Sequence, residues 1–185
     1  GRLTDDAPDQ KTPVQWVHDP NDPVPAPLVD TFNFIGERVR EEHLSLRDDV
    51  LVFSSDPAQT ATDLVGRVRL SATVSSSGPK MDVIVRLYDV DPEGSMHRIS
   101  SGQRHLLDAR EPFTMTVEMD PVGYRLPAGH ALRLHIASSE FPTYLPQPGT
   151  LENEWDAVEV LATTQTLQLG AEFTSLTLGV RPSMG

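Results

Sequence analysis

From Gly66 onward the chain is a succession of short stretches in which apolar and polar residues alternate. In GRVRLSATVSSS, Val68, Leu70, Ala72 and Val74 fall on one side, with Arg67, Arg69, Ser71 and Thr73 on the other. That period of two is the pattern of a half-buried strand. FTMTVEM repeats it, with Phe113, Met115, Val117 and Met119 facing one way and Thr114, Thr116 and Glu118 the other. In HALRLHIASS, Leu132, Leu134 and Ile136 stand opposite Arg133 and His135. MDVIVRLYDV is apolar on both sides through Val83, Ile84, Val85, Leu87 and Tyr88, which predicts an interior strand covered on both faces. DVLVFSS, TLQLG and SLTLGV add further strands, SMHRIS a short extended piece, and the turns GPK, DPVG, LPAG and FPTYLPQPG separate them. Eight or more short strands between Pro- and Gly-containing turns predict an all-β fold, a two-sheet jelly-roll sandwich with its core over 49–182.

The first 48 residues read differently. DPNDPVPAPL, dense in proline, predicts an irregular arm running extended over the surface. Within the arm only IGERVREEHLSL can form a short helix, and its Val39, Leu44 and Leu46 keep no helical stripe. Trp16, Phe32, Phe34, Phe141, Tyr144 and Trp155 fall in arm and loops rather than in the alternating strands. They suit a sugar-stacking platform or a contact with another domain, and equally the closing of the sandwich ends.

Composition narrows the function more than the fold. A chain of 185 residues makes one domain with a substantial core. Its 15 basic against 27 acidic residues give a net charge of -12, which repels a polyphosphate backbone and argues against nucleic acid as a partner. Without cysteine there is no disulfide framework and no thiol nucleophile. No apolar run reaches membrane-spanning length, and GRLTDDAPDQ lacks the features of a signal peptide, so a soluble, cytoplasmic chain without a membrane partner is the expectation. The missing initiator methionine points to a processed product or to a piece of something longer.

Candidate chemistry is sparse. DVDPEG places Asp89, Asp91, Glu93 and Gly94 where a calcium loop wants oxygens and a glycine, but strands flank it and the twelfth position is Ser100. A hairpin turn with solvated acids is the better reading. No Gly-x-Ser-x-Gly elbow occurs. The six histidines, at 18, 43, 97, 105, 130 and 135, form no zinc-type pair and read as surface or capping residues. No catalytic residue, metal ligand or cofactor is assigned.

Four stretches in order, HDPNDPVP, LRDDVLVFSSDP, the long run GRVRLSATVSSSGPKMDVIVRLYDVDPEG, and GHALRLHIASSEFP, carry a resemblance. From Gly1 to Pro182 the chain resembles the C-terminal domain of the X-Pro dipeptidyl-peptidase and cocaine esterase (CocE/NonD) family of serine hydrolases. The resemblance implies a jelly roll with a galactose-binding-like fold. It also implies a preceding α/β-hydrolase domain and helical cap that hold the Ser, Asp and His of the triad, so no catalytic residue carries over to this chain. That family has a basic-Asn-Pro-Asn loop after Phe-Pro, whereas here Thr143 to Gly149 read TYLPQPG. The implied role is a non-catalytic domain that supports the catalytic and cap domains and walls the substrate cleft of an esterase or peptidase. Phe141, Pro142, Tyr144 and Leu145, with Phe32 and Phe34 of the arm, are the expected interface, free to self-associate when the domain stands alone. The alternative is a free-standing carbohydrate-binding module that stacks sugars on Trp16 or Trp155.

Overall fold

The protein is described by a computed structural model over residues 1–5, 11–26 and 41–182. Its strands are β1 (Thr12–His18), β2 (Leu51–Ser54), β3 (Thr62–Ser76), β4 (Met81–Val90), β5 (Met96–Leu106), β6 (Phe113–Leu126), β7 (Ala131–Ala137), β8 (Thr163–Leu169) and β9 (Thr174–Pro182). They form two antiparallel sheets. One runs β1-β8-β3-β6 with β9 also alongside β3, and the other runs β2-β7-β4-β5. β3 reaches all its partners through its length: β6 lies along one side, while β9 and then β8 share the other. The sheets meet at a corner where Ser100 Oγ donates to the Asp120 carbonyl at 2.7 Å. The expected all-β, two-sheet sandwich is the fold observed.

Alternation fills the interior as expected. Val68, Leu70, Ala72, Val74, Met115 and Val117 of the first sheet pack against Val83, Val85, Leu87, Leu134 and Ile136 of the second, all buried in one cluster. Burying each larger aliphatic side chain contributes about 1.5–3 kcal/mol. Phe113 departs from its row because it is the first residue of β6, at the rim, where it remains partly exposed.

The arm holds a strand. Thr12–His18 pairs with β8 in register from Thr12↔Leu169 to His18↔Thr163. Val14, Trp16 and His18 turn inward by parity, and Pro13 is tolerated because β1 is an edge strand. Trp16 is therefore core, only 3% exposed, with its indole Nε1 donating to Ser138 Oγ at 3.0 Å. This corrects its reading as a stacking surface. Of the expected helix over 35–46, the described portion is a 3-10 turn, Glu41–Leu46, held down by buried Leu44. Phe32 and Phe34 lie outside the described residues.

DVDPEG is the β4–β5 hairpin. Val90 pairs with Met96, Gly94 has φ +91°, and Asp91 Oδ1 accepts from the Ser95 amide at 2.8 Å. Asp89, however, is not solvated. It is buried, and its carboxylate accepts from Tyr124 Oη at 2.6 Å and from His130 Nδ1 at 2.8 Å. The strand's last acid points into the end of the sandwich, and only the turn proper faces solvent.

β4 is buried along all ten residues. Its second face carries Asp82, Arg86 and Tyr88 as well as Ile84, and loops rather than another sheet cover it. Val24, Leu44, Val50 and Ala137 form a small second apolar cluster there. Arg86 Nη2 lies 3.0 Å from Glu140 Oε1, and His135 Nε2 3.1 Å from Ser45 Oγ.

Candidate functional site

On that second face, antiparallel pairing sets Asp82 of β4 directly opposite His105 of β5. The carboxylate Oδ1 accepts from His105 Nδ1 at 2.8 Å, and Oδ2 accepts from the Gln147 amide at 3.1 Å. Gln147 is in turn fixed through its carbonyl, 2.8 Å from Nε2 of His18 at the end of β1. Burial holds the His18 pKa below its ordinary value, against the opposing effect of that carbonyl. Neutral His18 donates here, which ties the loop to the first sheet.

The chain from Ser138 to Glu140 is secured residue by residue. Ser138 accepts from Trp16, Ser139 Oγ accepts from the Val24 amide at 2.8 Å, and Glu140 pairs with Arg86. Phe141 and Pro142 then emerge at the surface, while Tyr144 and Leu145 are half-buried.

The loop that follows closes on itself. The Leu161 amide donates to the Pro148 carbonyl at 2.8 Å, and Gly149, at φ +79°, passes so close that a Cβ would collide with the Leu161 carbonyl. Within the loop, Glu152 Oε2 accepts from the amides of Val158 at 2.8 Å and Glu159 at 3.2 Å, and Asn153 Oδ1 accepts from the Trp155 amide at 2.9 Å. Lys80 Nζ clamps it to the sheet through the Glu152 carbonyl at 2.7 Å and Glu154 Oε1 at 2.9 Å. Burial pushes the Glu154 carboxyl up, and the Lys80 ammonium outweighs this and leaves it below the ordinary value. Polar side chains thus do the internal bonding, and the apolar ones face out: Trp155 is 82% exposed, Val158 92% and Leu151 72%. Val160 and Leu161 are exposed as well.

Between the two loops lies an open cleft of about 400 Å³. Asp82, His105 and Gln147 line it with Gln103; Pro142, Tyr144 and Leu145 line it with Trp155. The structure so brings three of the expected interface residues together with Trp155, and leaves Phe141 exposed beside them. Missed from the sequence were Leu151, Val158, Val160 and Leu161, which sit among acids in a segment with no alternation. Among the described residues no group of three or more histidine or carboxylate side chains is placed to hold a metal ion, and no helix is long and apolar enough to cross a membrane.

A family model described as the X-Pro dipeptidyl-peptidase C-terminal non-catalytic domain matches residues 6–178. A cocaine esterase from Rhodococcus sp. (strain MB1 Bresler) is 29% identical over 143 residues, 70% of this chain and 25% of that protein. Among solved structures, an aminopeptidase from a marine sediment archaeon, Thaumarchaeota archaeon, superposes with a TM-score of 0.87 at 21% identity, over 98% of this chain and 35% of that one. An alpha-amino acid ester hydrolase gives 0.80 at 23% identity, over 91% and 32%. The chain thus spans about a quarter of the curated relative it matches, and about a third of each of these structures.

Proposed function

Because the chain belongs to the family of X-Pro dipeptidyl-peptidase C-terminal non-catalytic domains, we propose that it serves a serine hydrolase as an accessory domain, buttressing the catalytic domain and its cap and walling the substrate cleft. The observation that carries this reading is the loop closed between Pro148 and Leu161, ordered by its own polar side chains and presenting Leu151, Val158, Val160 and Leu161 outward. A sandwich that has already filled its core gains nothing from such a surface until something covers it. Contacts between domains of one chain bury about 600–1,500 Å², and each of these side chains contributes about 1.5–3 kcal/mol when fully covered. Phe141, Pro142, Tyr144 and Leu145 border the same surface and extend the contact toward the cleft.

The test compares the isolated chain with the full-length hydrolase. Val158→Glu and Leu161→Glu together should leave the melting temperature of the isolated chain unchanged. In the full-length enzyme they should lower both thermal stability and turnover. The isolated chain should self-associate with rising concentration in sedimentation, and the double variant should not. An unchanged full-length enzyme carrying both charges would remove the buttress reading.

A further inference from the structure

None of Leu151, Val158, Val160 and Leu161 lines the cleft, which shares only Pro142, Tyr144 and Leu145 with the proposed domain contact. We propose that it is a binding site for a neutral carbohydrate, stacked on Trp155 and hydrogen-bonded to Gln103 and His105. The reading goes beyond the buttressing role and does not depend on it.

Elimination by chemistry leads to this class. An anion meets the carboxylates of Asp82 and Glu154, on a chain of net charge -12. A cation meets carboxylates that are already compensated, because both oxygens of Asp82 are engaged by His105 and Gln147, and Lys80 Nζ pairs with Glu154 Oε1 at 2.9 Å. A wholly apolar ligand would strip water from the polar floor without replacing its hydrogen bonds. What remains is a neutral molecule with one apolar face and a rim of hydroxyls. A sugar ring presents C–H groups on its face and alternating donors and acceptors at its edge, which suits the exposed Trp155 indole and the Tyr144 ring.

The polar groups are positioned for such an edge. The Asp82 carboxylate holds His105 by Nδ1, which fixes the ring and leaves Nε2 without a partner among the described residues. The Gln103 amide, two residues along the same strand face, is likewise unpartnered there and can donate and accept at once. Thr143 lines the cleft as well. At about 400 Å³ and open to solvent, the cleft admits a chain of sugars rather than enclosing one.

The experiment titrates the chain and the full-length hydrolase with neutral trisaccharides of glucose, galactose, mannose and xylose, read by saturation-transfer NMR on the sugar. At least one should bind saturably to both proteins. Trp155→Ala and His105→Ala should each weaken it about tenfold or more, and Trp155→Phe should recover most of the loss. Leu151→Ser, on the same loop but outside the cleft, should leave binding unchanged. Matched melting curves exclude unfolding as the cause. The proposal is overturned if no sugar saturates, if binding survives Trp155→Ala, if a proline-rich peptide binds where the sugars do not, or if binding to the isolated chain vanishes in the full-length enzyme. That last result would give the cleft to the domain interface.

Discussion

His135 is the most instructive place to perturb this fold. It is 0% exposed on the covered face of the second sheet, with the Tyr88 ring 4.8 Å away. Ser45 Oγ lies 3.1 Å from His135 Nε2, and Nδ1 has no partner among the described residues. A doubly protonated ring would therefore bury its Nδ1–H without an acceptor, near the cationic Arg86 and Arg133. Burial first, then those two guanidinium groups, lower the pKa from 6.5 to about 4. Between those values the unfolded chain holds a proton that the folded chain refuses. Stability from this group is therefore fully present above pH 6.5, falls as the pH drops, and is lost by about pH 4. At 1.36 kcal/mol per pH unit the gap amounts to about 3 kcal/mol. Urea unfolding of the natural chain and of His135→Gln, followed by far-UV circular dichroism across this pH range, isolates the contribution. Gln keeps a donor toward Ser45 and cannot ionise. Carboxylates and His18 titrate in both proteins and cancel in the difference. The natural chain should lose about 3 kcal/mol relative to the variant between pH 7 and pH 4. A difference that stays constant across the range would refute the account of the buried imidazole.

The sandwich core and the hairpin give further expectations. Leu134→Ala and Val117→Ala, both buried in the same cluster, should each cost about 2 to 4 kcal/mol in chemical denaturation. Exposed Thr116→Ala should stay within about 0.5 kcal/mol, and equal losses at the three sites would contradict the assigned strand faces. At the hairpin, Gly94→Val should lower the melting temperature more than Asp91→Asn, because φ +91° disfavours a β-branched side chain while asparagine retains the acceptor for Ser95. Asp89→Ala should cost more than either, about 3 kcal/mol, since it leaves the Tyr124 hydroxyl and His130 without their buried acceptor.

The parts of the fold legible in the sequence are those where one face of a strand is apolar and the other is not. β3, β6 and β7 announce their inward residues by parity, and Val68, Leu70, Val117 and Leu134 are buried where the pattern puts them. β1 alternates equally well in TPVQWVH, but it lies in the arm that the prolines of DPNDPVPAPL mark as surface, and its own Pro13 is no obstacle to a strand. An edge strand needs hydrogen bonds on one side only, so a proline does not disqualify it. The buried polar residues of the second sheet were illegible for another reason. Asp82, Arg86 and Asp89 of β4 and His135 of β7 look solvated by residue type, and only partners distant in sequence satisfy them: His105, Glu140, Tyr124 and Ser45. Of the site, Phe141, Pro142, Tyr144, Leu145 and Trp155 stand out as apolar and aromatic residues outside the alternating strands. The aliphatic residues of the loop do not, because no period marks side chains that face outward from a closed loop.

The hairpin also governs the cleft that lies at the far end of the same two strands. Asp82 meets His105 only because pairing runs from Val90↔Met96 at the turn back to Met81↔Leu106, with one irregularity, between Leu87 and Tyr88, where β5 carries the extra residue Ile99. Side chains alternate faces along a strand, so a slip of one residue would send His105 into the apolar core and bring Leu106 out beside Asp82. The tight turn at Gly94 and the bulge at Ile99 together set that register. Asp89 and Asp91 of DVDPEG hold hydrogen bonds within the chain, to Tyr124, His130 and the Ser95 amide, and the turn they belong to determines which of two neighbouring residues faces the Gln147 loop, and so whether the cleft has a polar floor.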